Sequence, residues 1–390
     1  MKVKLGDVCI IQSGGTPSRS NLDYWKNGTI SWVKISDIKD KYLNFTEEYI
    51  TYEGLKNSSA KIFSKGTILY TIFATLGEVS ILNIEAATNQ AIAGIKLVDE
   101  NVYNDFLYYY LVSKKEEVNN RGRGVAQNNI NLSMLKNIEI EMPNLEKQRK
   151  IANVLDKVNK IINKRQQQLK KIDELVKSRF IEMFGDPVTN SYNLPIVSLG
   201  ELSELITKGA SPSWQGFSYI DDRTQTLFIT SENVREGYID LSFPKYIEDG
   251  FNDKQKRSVI HKGDFLINIV GASIGRAAQF NLDCKANMNQ AAALVRINDK
   301  RIKDNYLLIY LNSEKAQRMY DLMKSDTGRA NLSLKDISDL SILLPPIAQQ
   351  EKFEKFFTLT NKSKFVNYKC LQTAANIYRQ EWMRCQTSNF

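Results

Sequence analysis

The hydrophobic and polar positions of this chain follow two different periods, and each period occurs twice. Residues 1–143 and 187–344 contain short segments rich in Val, Ile and Thr, with polar turns between them. This pattern is typical of β-strands. Each half also contains one shorter helical pattern, which we expect Asn104 to cap in the first half and Asp304 in the second. The pattern therefore predicts two α+β domains.

The second period is a heptad repeat in residues 144–186, where apolar side chains recur every three or four positions. Arg165 and Arg179 interrupt the repeat, and Gly185 with Pro187 marks its end. Such a repeat is typical of a helix that buries one stripe against a partner helix. The predicted stripe consists of Ile151, Leu155, Val158, Ile162, Leu169, Ile172 and Val176.

Residues 345–390 predict a second long helix with a broader, less regular and aromatic stripe. This stripe consists of Phe353, Phe357, Phe365, Tyr368, Leu371, Ala375, Tyr378 and Trp382. An apolar seam is unstable in water, so each helix is the simplest partner for the other. Because the chain passes through the second domain before it returns, we expect the helices to pair antiparallel. The alternative is that each helix packs only on its own domain.

Short motifs return in the same order in the two halves, which predicts an internal duplication. The returning motifs are Val3-Lys4-Leu5-Gly6 as Val197-Ser198-Leu199-Gly200, Asn89-Gln90-Ala91 as Asn289-Gln290-Ala291, and Asn131-Leu132-Ser133 as Asn331-Leu332-Ser333. We therefore expect a pseudo-twofold repeat of domain and helix. Its four segments are predicted at residues 1–143, 144–186, 187–344 and 345–390.

The 390 residues carry a formal net charge of +9, and the excess lies on the two predicted helices because each domain contains as many acidic as basic residues. A polyanionic partner and a solvated basic helix face explain this equally well. The four cysteines form no close pair and His261 is the single histidine, so neither a disulfide framework nor a metal site is expected. Without a signal peptide or an apolar run of membrane-spanning length, the chain is expected in the cytoplasm.

The common catalytic motifs are absent from the sequence. It contains no Gly-x-x-x-x-Gly-Lys phosphate loop, no Gly-x-Gly-x-x-Gly after a strand and no Gly-x-Ser-x-Gly. General acid or base catalysis by histidine is not expected with one histidine. We therefore predict no catalytic residue, no metal and no cofactor in this chain. An enzyme hypothesis would rest on carboxylates alone, with no motif to support it.

One polar loop in each half, just before the shared Asn-Leu-Ser, provides candidate binding residues. Arg, Gln and Asn pair with base edges in the major groove of DNA, whereas Lys and Ser suit phosphates. A solvated loop is the alternative for the same composition. The candidates are Arg121, Arg123, Gln127 and Asn128 in the first half, and Lys324 and Arg329 in the second.

The openings and ends of the two halves resemble a known family. Gly14-Gly15-Thr16-Pro17-Ser18, followed by Tyr24-Trp25 and Ile30-Ser31-Trp32, resembles the opening of a target recognition domain in the specificity subunits of type I restriction-modification systems. The segment from Leu135 to Asp156 resembles the end of such a domain and the start of its spacer helix. Leu344-Pro345-Pro346 resembles the second occurrence, although Asn144 replaces the equivalent second proline in the first copy.

The resemblance implies an α+β chain with two similar DNA-recognition domains separated by a pair of long helices in an antiparallel coiled coil. It implies a non-catalytic, cytoplasmic, prokaryotic subunit that reads a split sequence in double-stranded DNA. Two modification subunits with S-adenosylmethionine would methylate adenine, and restriction or translocase subunits with ATP and Mg would cleave. The opening loops then add candidate DNA contacts at Ser18, Arg19, Lys34, Lys208 and Ser211.

A different class of protein also fits these residues. A two-domain adaptor would bind protein partners through the same helices without DNA specificity. A bipartite footprint on duplex DNA would separate the two hypotheses.

Overall fold

The computed structural model describes residues 2–115, 117–118, 130–327 and 331–387, without the side chains of 325–327, 379 and 381–387. The chain divides into two compact units. One contains residues 1–165 and 369–390, and the other contains residues 166–368. Each unit therefore holds one α+β domain and a part of each of two long helices.

The first domain contains three sheets. Its strands are β1 (Lys2–Lys4), β2 (Cys9–Ser13), β3 (Ile30–Val33), β4 (Tyr42–Leu43), β5 (Glu48–Ile50), β6 (Ile62–Phe63), β7 (Ile68–Thr71), β8 (Val79–Leu82), β9 (Ala86–Thr88), β10 (Ile92–Leu97) and β11 (Glu139–Glu141). Its helices are α1 (Leu5–Val8), α2 (Tyr52–Lys56), α3 (Asn104–Ser113) and α4 (Leu132–Lys136). The sheet orders are β2-β10-β7-β8-β4, β5-β3-β9-β6 and β1-β11.

The second domain repeats this plan after the first long helix, α5 (Leu145–Phe184). Its strands are β12 (Ile196–Ser198), β13 (Ser203–Lys208), β14 (Tyr219–Ile220), β15 (Thr226–Ile229), β16 (Lys245–Ile247), β17 (Phe265–Asn268), β18 (Ala277–Gln279), β19 (Ala286–Met288), β20 (Ala292–Ile297) and β21 (Ser341–Leu343). Its helices are α6 (Leu199–Leu202), α7 (Gly250–Lys254), α8 (Asp304–Leu311), α9 (Glu314–Thr327) and α10 (Leu334–Ser338), and α11 (Ile347–Thr387) follows. The sheet orders are β13-β20-β17-β18, β14-β16-β15-β19 and β12-β21.

Equivalent strand pairs confirm the duplicated α+β fold predicted from the sequence. The first and last strands of each domain pair antiparallel, with Val3 opposite Ile140 and Val197 opposite Ile342. Each domain also contains an equivalent parallel pair, β3 with β9 or β15 with β19, and the first domain has a second parallel pair, β4 with β8. The start and end of each domain therefore meet, and the long helix leaves from that place.

The shorter helices α3 and α8 begin at Asn104 and Asp304, so the prediction that these residues are the N-caps was wrong by one position. Their side chains bond to neighbouring segments instead of the first helical turn. The Asn104 Nδ2 donates to the Gly66 carbonyl at 2.9 Å, and Asp304 Oδ2 accepts from Gln279 at 2.7 Å. Tertiary hydrogen bonds thus replace the local caps.

The difference between Asn144 and Pro346 has a local explanation. Asn144 precedes α5, and its Oδ1 accepts from the Lys147 N–H at 2.9 Å, so it satisfies an N–H of the first helical turn. Pro346 precedes α11, and its carbonyl accepts from the Gln349 N–H at 2.9 Å. Both residues start a helix, one through its side chain and the other through a backbone angle suited to that position.

The helix α5 buries the heptad side chains to different degrees. In the first unit, Leu155 and Val158 are buried and Ile151 and Ile162 are half-buried. In the second unit, Val176 is buried and Leu169 and Ile172 are half-buried. After α5, Gly185 has a φ of +77°, a left-handed conformation that glycine adopts easily at a helix end. At 1.5 Å per residue, the forty-residue α5 is about 60 Å long.

The inner face of α11 differs from the predicted aromatic stripe. Phe365 and Tyr368 are 58% and 54% exposed and Ala375 is also exposed, so their assignment to the stripe was wrong. The inner positions instead follow a regular spacing of four and three residues in which polar side chains take part, and Trp382 lies outside the described side chains. This inner face consists of Phe353, Phe357, Thr360, Lys364, Asn367, Leu371, Ala374 and Tyr378.

Contacts within the second unit show that α5 and α11 run antiparallel there. The Lys364 Nζ lies 2.5 Å from Asp173 Oδ1, and the rings of Phe180 and Phe353 are 5.5 Å apart. Residue numbers therefore rise along α5 while they fall along α11.

Within the described residues, none of the helices combines the length and the apolar composition that a membrane span requires.

Candidate nucleic-acid interface

The opening loop of the first domain follows β2 and is held by two tryptophans. Trp25 Nε1 donates to the Ser18 carbonyl and Trp32 Nε1 donates to the Gly15 carbonyl, each at 3.0 Å. A Cβ at Gly14 would lie 2.3 Å from the Thr88 carbonyl oxygen, so only glycine fits this approach. The loop therefore has a defined shape, and Ser18 and Arg19 lie on its outer part.

Arg19 and Lys34 form a charge-balanced cluster with two glutamates. The Arg19 guanidinium lies 3.6 Å from the ring centre of Trp25 and 2.5 Å from Glu48 Oε2. Lys34 Nζ lies 2.6 Å from Glu47 and 3.4 Å from Glu48. The hydrogen bond from Arg19 holds the pKa of Glu48 below its usual range, and the bond to Glu47 raises the pKa of Lys34. Both cations are thus neutralised by carboxylates, although they remain partly exposed.

The opening loop of the second domain follows β13. Its backbone makes the same close approach as in the first domain, but its side chains differ. A Cβ at Gly209 would lie 1.7 Å from the Met288 carbonyl oxygen, which repeats the close approach at Gly14. The Ser211 and Ser213 hydroxyls are 3.0 Å apart, and those of Ser18 and Ser20 are 2.8 Å apart. Lys208, at the end of β13, is exposed.

The repeated Asn-Gln-Ala turn lies beside the opening loop in the first domain. Thr16 donates its hydroxyl hydrogen to Gln90 Oε1. Asn89 fixes the turn, because its Oδ1 accepts from the Ala91 N–H at 3.1 Å and its N–H donates to the Val33 carbonyl at 3.0 Å. Asn289 makes the same two bonds, to Ala291 and to Ile229, at 3.0 Å each.

The same turn anchors one end of the loop that precedes Asn-Leu-Ser. In the first domain, the Ile130 N–H donates to Ile72 at 3.1 Å and the Ile72 N–H donates to Ala91 at 2.8 Å. In the second domain, the corresponding bonds run from Leu332 to Ile269 at 2.9 Å and from Ile269 to Ala291 at 3.0 Å. In each domain, therefore, the turn that lies beside the opening loop is also linked to the chain just before the next helix, at Ile130 or at Leu332.

Most candidates in the polar loops that precede Asn-Leu-Ser lie outside the described residues. These are Arg121, Arg123, Gln127, Asn128 and Arg329. Lys324 is described on α9, where its Nζ lies 2.5 Å from Asp321 Oδ1 one turn earlier. The Asn-Leu-Ser motif itself starts a helix: Asn131 Oδ1 accepts from the Met134 N–H at 2.8 Å, and Ser333 Oγ accepts from the Asp336 N–H at 3.1 Å.

Sequence reasoning missed several residues that shape this surface. Gln90, Glu48 and Trp214 were not singled out, although Gln90 lies in a motif whose repetition was noticed. Trp25 and Trp32 were quoted only as family motifs, whereas their ring N–H groups hold the opening loop. Only a structure could pair Glu48 with Arg19, because these residues are far apart in the sequence and adjacent in space.

The chain thus contains two loop-bearing α+β domains, each followed by a long helix. Among the described residues there is no cluster of three or more His, Cys, Asp or Glu side chains that could hold a metal ion. The described residues thus show two similar domains in which an Asn-Gln-Ala turn lies beside the opening loop.

The chain belongs to the family described as the type I restriction modification DNA specificity domain, which matches residues 1–171 and 194–372. The MjaIX specificity subunit of Methanocaldococcus jannaschii is 34% identical over 53% of this chain and 48% of its own length. The EcoR124I/EcoR124II specificity subunit of Escherichia coli is 25% identical over 41% of each chain. The chain thus spans about half the length of these curated relatives.

The fold is also found in a solved structure. The S subunit of a type I restriction-modification system from M. genitalium has a TM-score of 0.59 at 15% identity, with 99% of this chain and 95% of that chain covered. At this identity the likeness concerns the fold. It agrees with the two α+β domains and two long helices described above.

Proposed function

We propose that this chain is the DNA-reading subunit of a type I restriction-modification system. Each domain would bind one half of a split sequence in double-stranded DNA, and the long helices would hold the two halves at a fixed separation. The observation that carries this proposal is a backbone arrangement repeated in both domains, in which an Asn-Gln-Ala turn beside the opening loop is linked to Ile130 or to Leu332 just before a helix. Membership of the specificity family supports it.

The chain itself would perform no catalysis and would hold no cofactor. Two modification subunits would bind S-adenosylmethionine and methylate adenine, and restriction or translocase subunits would use ATP and Mg. Exposed apolar side chains on the long helices are available for protein docking there. They include Leu175 on α5 at 52% exposure, and Leu359 and Val366 on α11 at 63% and 57%.

Sequencing of methylated adenines tests the proposal directly. Cells would carry this chain with its modification subunit, with the modification subunit alone, or with the chain alone. We expect one bipartite motif in the first case only. Methyl transfer by the purified chain would contradict the non-catalytic role.

Footprinting separates the reader from the adaptor. A subunit that reads DNA protects two short segments of duplex separated by an unread gap. An adaptor binds modification subunits but leaves the duplex without a bipartite footprint.

A further inference from the structure

The two opening loops differ at equivalent positions in a way that changes their chemistry. Arg19 is five residues after Gly14, and Trp214 is five residues after Gly209. Arg19 stacks on Trp25 and pairs with Glu48. Trp214 is 85% exposed on a short 3-10 turn, Ser213–Gln215. The exposed indole is therefore available for a binding contact.

The surroundings of Trp214 hold this ring outward. Phe217 lies 5.5 Å from Phe251 in an edge-to-face contact, and Phe251 is fully buried. Lys254 Nζ donates to the Gln215 carbonyl at 3.1 Å and lies over the Phe217 ring at 5.2 Å. The turn is therefore anchored in the domain through Gln215 and Phe217. Trp214, which precedes them, remains in solvent.

Four exposed cations of the second domain lack carboxylate partners. They are Lys208, Lys254, Lys256 and Arg257, and within the described part of the chain none of them has a carboxylate oxygen within 4.0 Å. The strand β13, which ends at Lys208, contacts the short turn Lys256–Ser258. Lys254 is tied to the Trp214 turn by the bond to Gln215. The positive charges thus belong to one surface.

The equivalent surface of the first domain carries fewer cations, although α2 ends at exposed Lys56 as α7 ends at Lys254. The segment after α2 is Asn57-Ser58-Ser59-Ala60, whereas the segment after α7 is Gln255-Lys256-Arg257-Ser258. In the strand pairs, Glu48 lies opposite Trp32, but Lys245 lies opposite Phe228. The glutamate that neutralises Arg19 therefore has no counterpart beside Trp214.

We propose that Trp214 and these four cations form an open contact for duplex DNA, so that the second domain supplies more of the salt-dependent affinity than the first. This inference rests on the proposed function. DNA is the occupant that fits, because phosphates neutralise the cations and the indole can lie against deoxyribose and base edges between them. The neutral cluster around Arg19 would then contribute shape and hydrogen bonds.

The test uses the full chain, a duplex with the methylated motif and a scrambled duplex, with dissociation constants measured between about 50 and 200 mM salt. Replacing Lys254 and Lys256 together by Gln should lower the slope of log affinity against log salt by about 2, since each phosphate contact contributes about 0.9. Trp214→Ala should weaken binding about tenfold and leave the slope unchanged. Arg19→Gln should change the slope by less than about one half.

Two further variants sharpen the test. Phe243 is 87% exposed in the same domain, but its cationic neighbours Arg235 and Lys245 are paired with Asp240 and Glu232, so Phe243→Ala is the matched control with no expected effect. Glu48→Gln should free Arg19 and raise the slope by about 1. Thermal unfolding of every variant should match the parent chain, because these side chains lie at the surface.

The outcomes distinguish this inference from the proposed function. If the parent chain does not prefer its motif over the scrambled duplex, the proposed function fails. If the parent chain does prefer its motif, the salt slopes of the variants decide. The inference is wrong if the double lysine variant keeps the slope of the parent chain, or if Arg19→Gln lowers the slope more than the double lysine variant does. It is also wrong if the lysine and Trp214 variants lose binding of an acidic protein partner while DNA binding is unchanged.

Discussion

The two places where a domain joins its long helix share one arrangement of hydrogen bonds and differ in everything around it. Gln148 on α5 accepts from the Tyr103 N–H at 2.7 Å, and its amide donates to the Asn101 and Pro143 carbonyls at 2.9 and 2.8 Å. Gln350 on α11 repeats these bonds with Lys303, Arg301 and Pro345 at 2.8, 2.9 and 2.8 Å. We call this arrangement the glutamine clamp.

The first joint surrounds the clamp with a polar cluster. Lys41 Nζ lies 2.7 Å from Asp105 on α3 and 2.6 Å from Asp156 on α5. Tyr109 donates its hydroxyl to Asp156 at 2.6 Å. Lys41 and Asp105 are mostly buried, and Asp156 is about one third exposed.

The second joint replaces this cluster with aromatic rings. Tyr306 on α8 lies 5.3 Å from Phe180 and 4.8 Å from Phe184 at the end of α5, and Phe353 on α11 lies 5.5 Å from each phenylalanine. All four rings are buried. The backbone geometry of each joint therefore depends on the glutamine, whereas either charged side chains or aromatic rings can fill the space around it.

The largest expected effect is loss of an aromatic ring from the second joint. Phe353→Ala should cost about 3 to 5 kcal/mol of local stability, because it leaves a cavity in a fully packed cluster. Hydrogen exchange followed by mass spectrometry should show faster exchange in α8 and at the end of α5. Phe365→Ala on the same helix, an exposed position, should change nothing measurable.

The glutamine clamp should be equally important in both joints. Gln148→Leu and Gln350→Leu should each cost about 3 kcal/mol, because an N–H and two carbonyls lose their buried partners. Exposed Gln349 provides the control substitution Gln349→Leu. Unequal losses in the two joints would show that the surrounding cluster, and not the clamp, sets their geometry.

The polar cluster should be worth less than the aromatic one. Lys41→Met leaves two carboxylates close together, and we expect a cost of about 2 kcal/mol, since water reaches Asp156 and screens the charges. Urea unfolding, monitored through exchange in α3, measures this cost. A loss as large as that of Phe353→Ala would contradict the ranking.

The smallest expected effect concerns pH, and only the first joint should show it. Burial raises the pKa of Asp105, but hydrogen bonds from Lys41 and Tyr42 outweigh it and hold the pKa below its usual value. This stabilisation is present above the unfolded pKa of about 3.9 and is lost as the pH falls through the lower folded value. Exchange in α3 should therefore rise in acid before exchange in α8 does. The reverse order would contradict this assignment.

The duplicated fold could be predicted because its signals are local or repeated. The apolar spacing of α5 and the returning motifs give the plan of domain and helix directly. The inner face of α11 could not be predicted in the same way, since Lys364 and Asn367 occupy inner positions that a hydrophobic pattern does not reveal. Lys364 is accepted there because Asp173 on the facing helix neutralises it.

The candidate binding surface was predictable only in outline. Opening loops and polar loops were recognised from composition and resemblance, whereas the backbone links from the Asn-Gln-Ala turn to Ile130 and to Leu332 depend on long-range hydrogen bonds. Arg19 and Lys34 illustrate the limit: their charge suggested phosphate contacts, but Glu47 and Glu48 neutralise them in the folded chain. Trp214 carries no such signal in the sequence, because only its exposure distinguishes it from a core residue.

The central claim is that the long helices set the distance between two half-sequences that the domains read. Four residues inserted within Asn163–Gln168, alone or together with four in α11 between Val366 and Cys370, lengthen a helix by about 6 Å. Four residues also nearly complete a helical turn, so they disturb the inner faces less than two would. The matched control is a substitution at the same sites without insertion.

The decisive measurement is the methylated motif of these insertion variants, determined in cells with the modification subunit. Base pairs advance about 3.4 Å along duplex DNA, so the account predicts an unread gap that is wider by one or two base pairs between unchanged half-sequences. An active enzyme with an unaltered gap would contradict the claim that the helices set the spacing. Altered half-sequences would contradict the assignment of base reading to the domains.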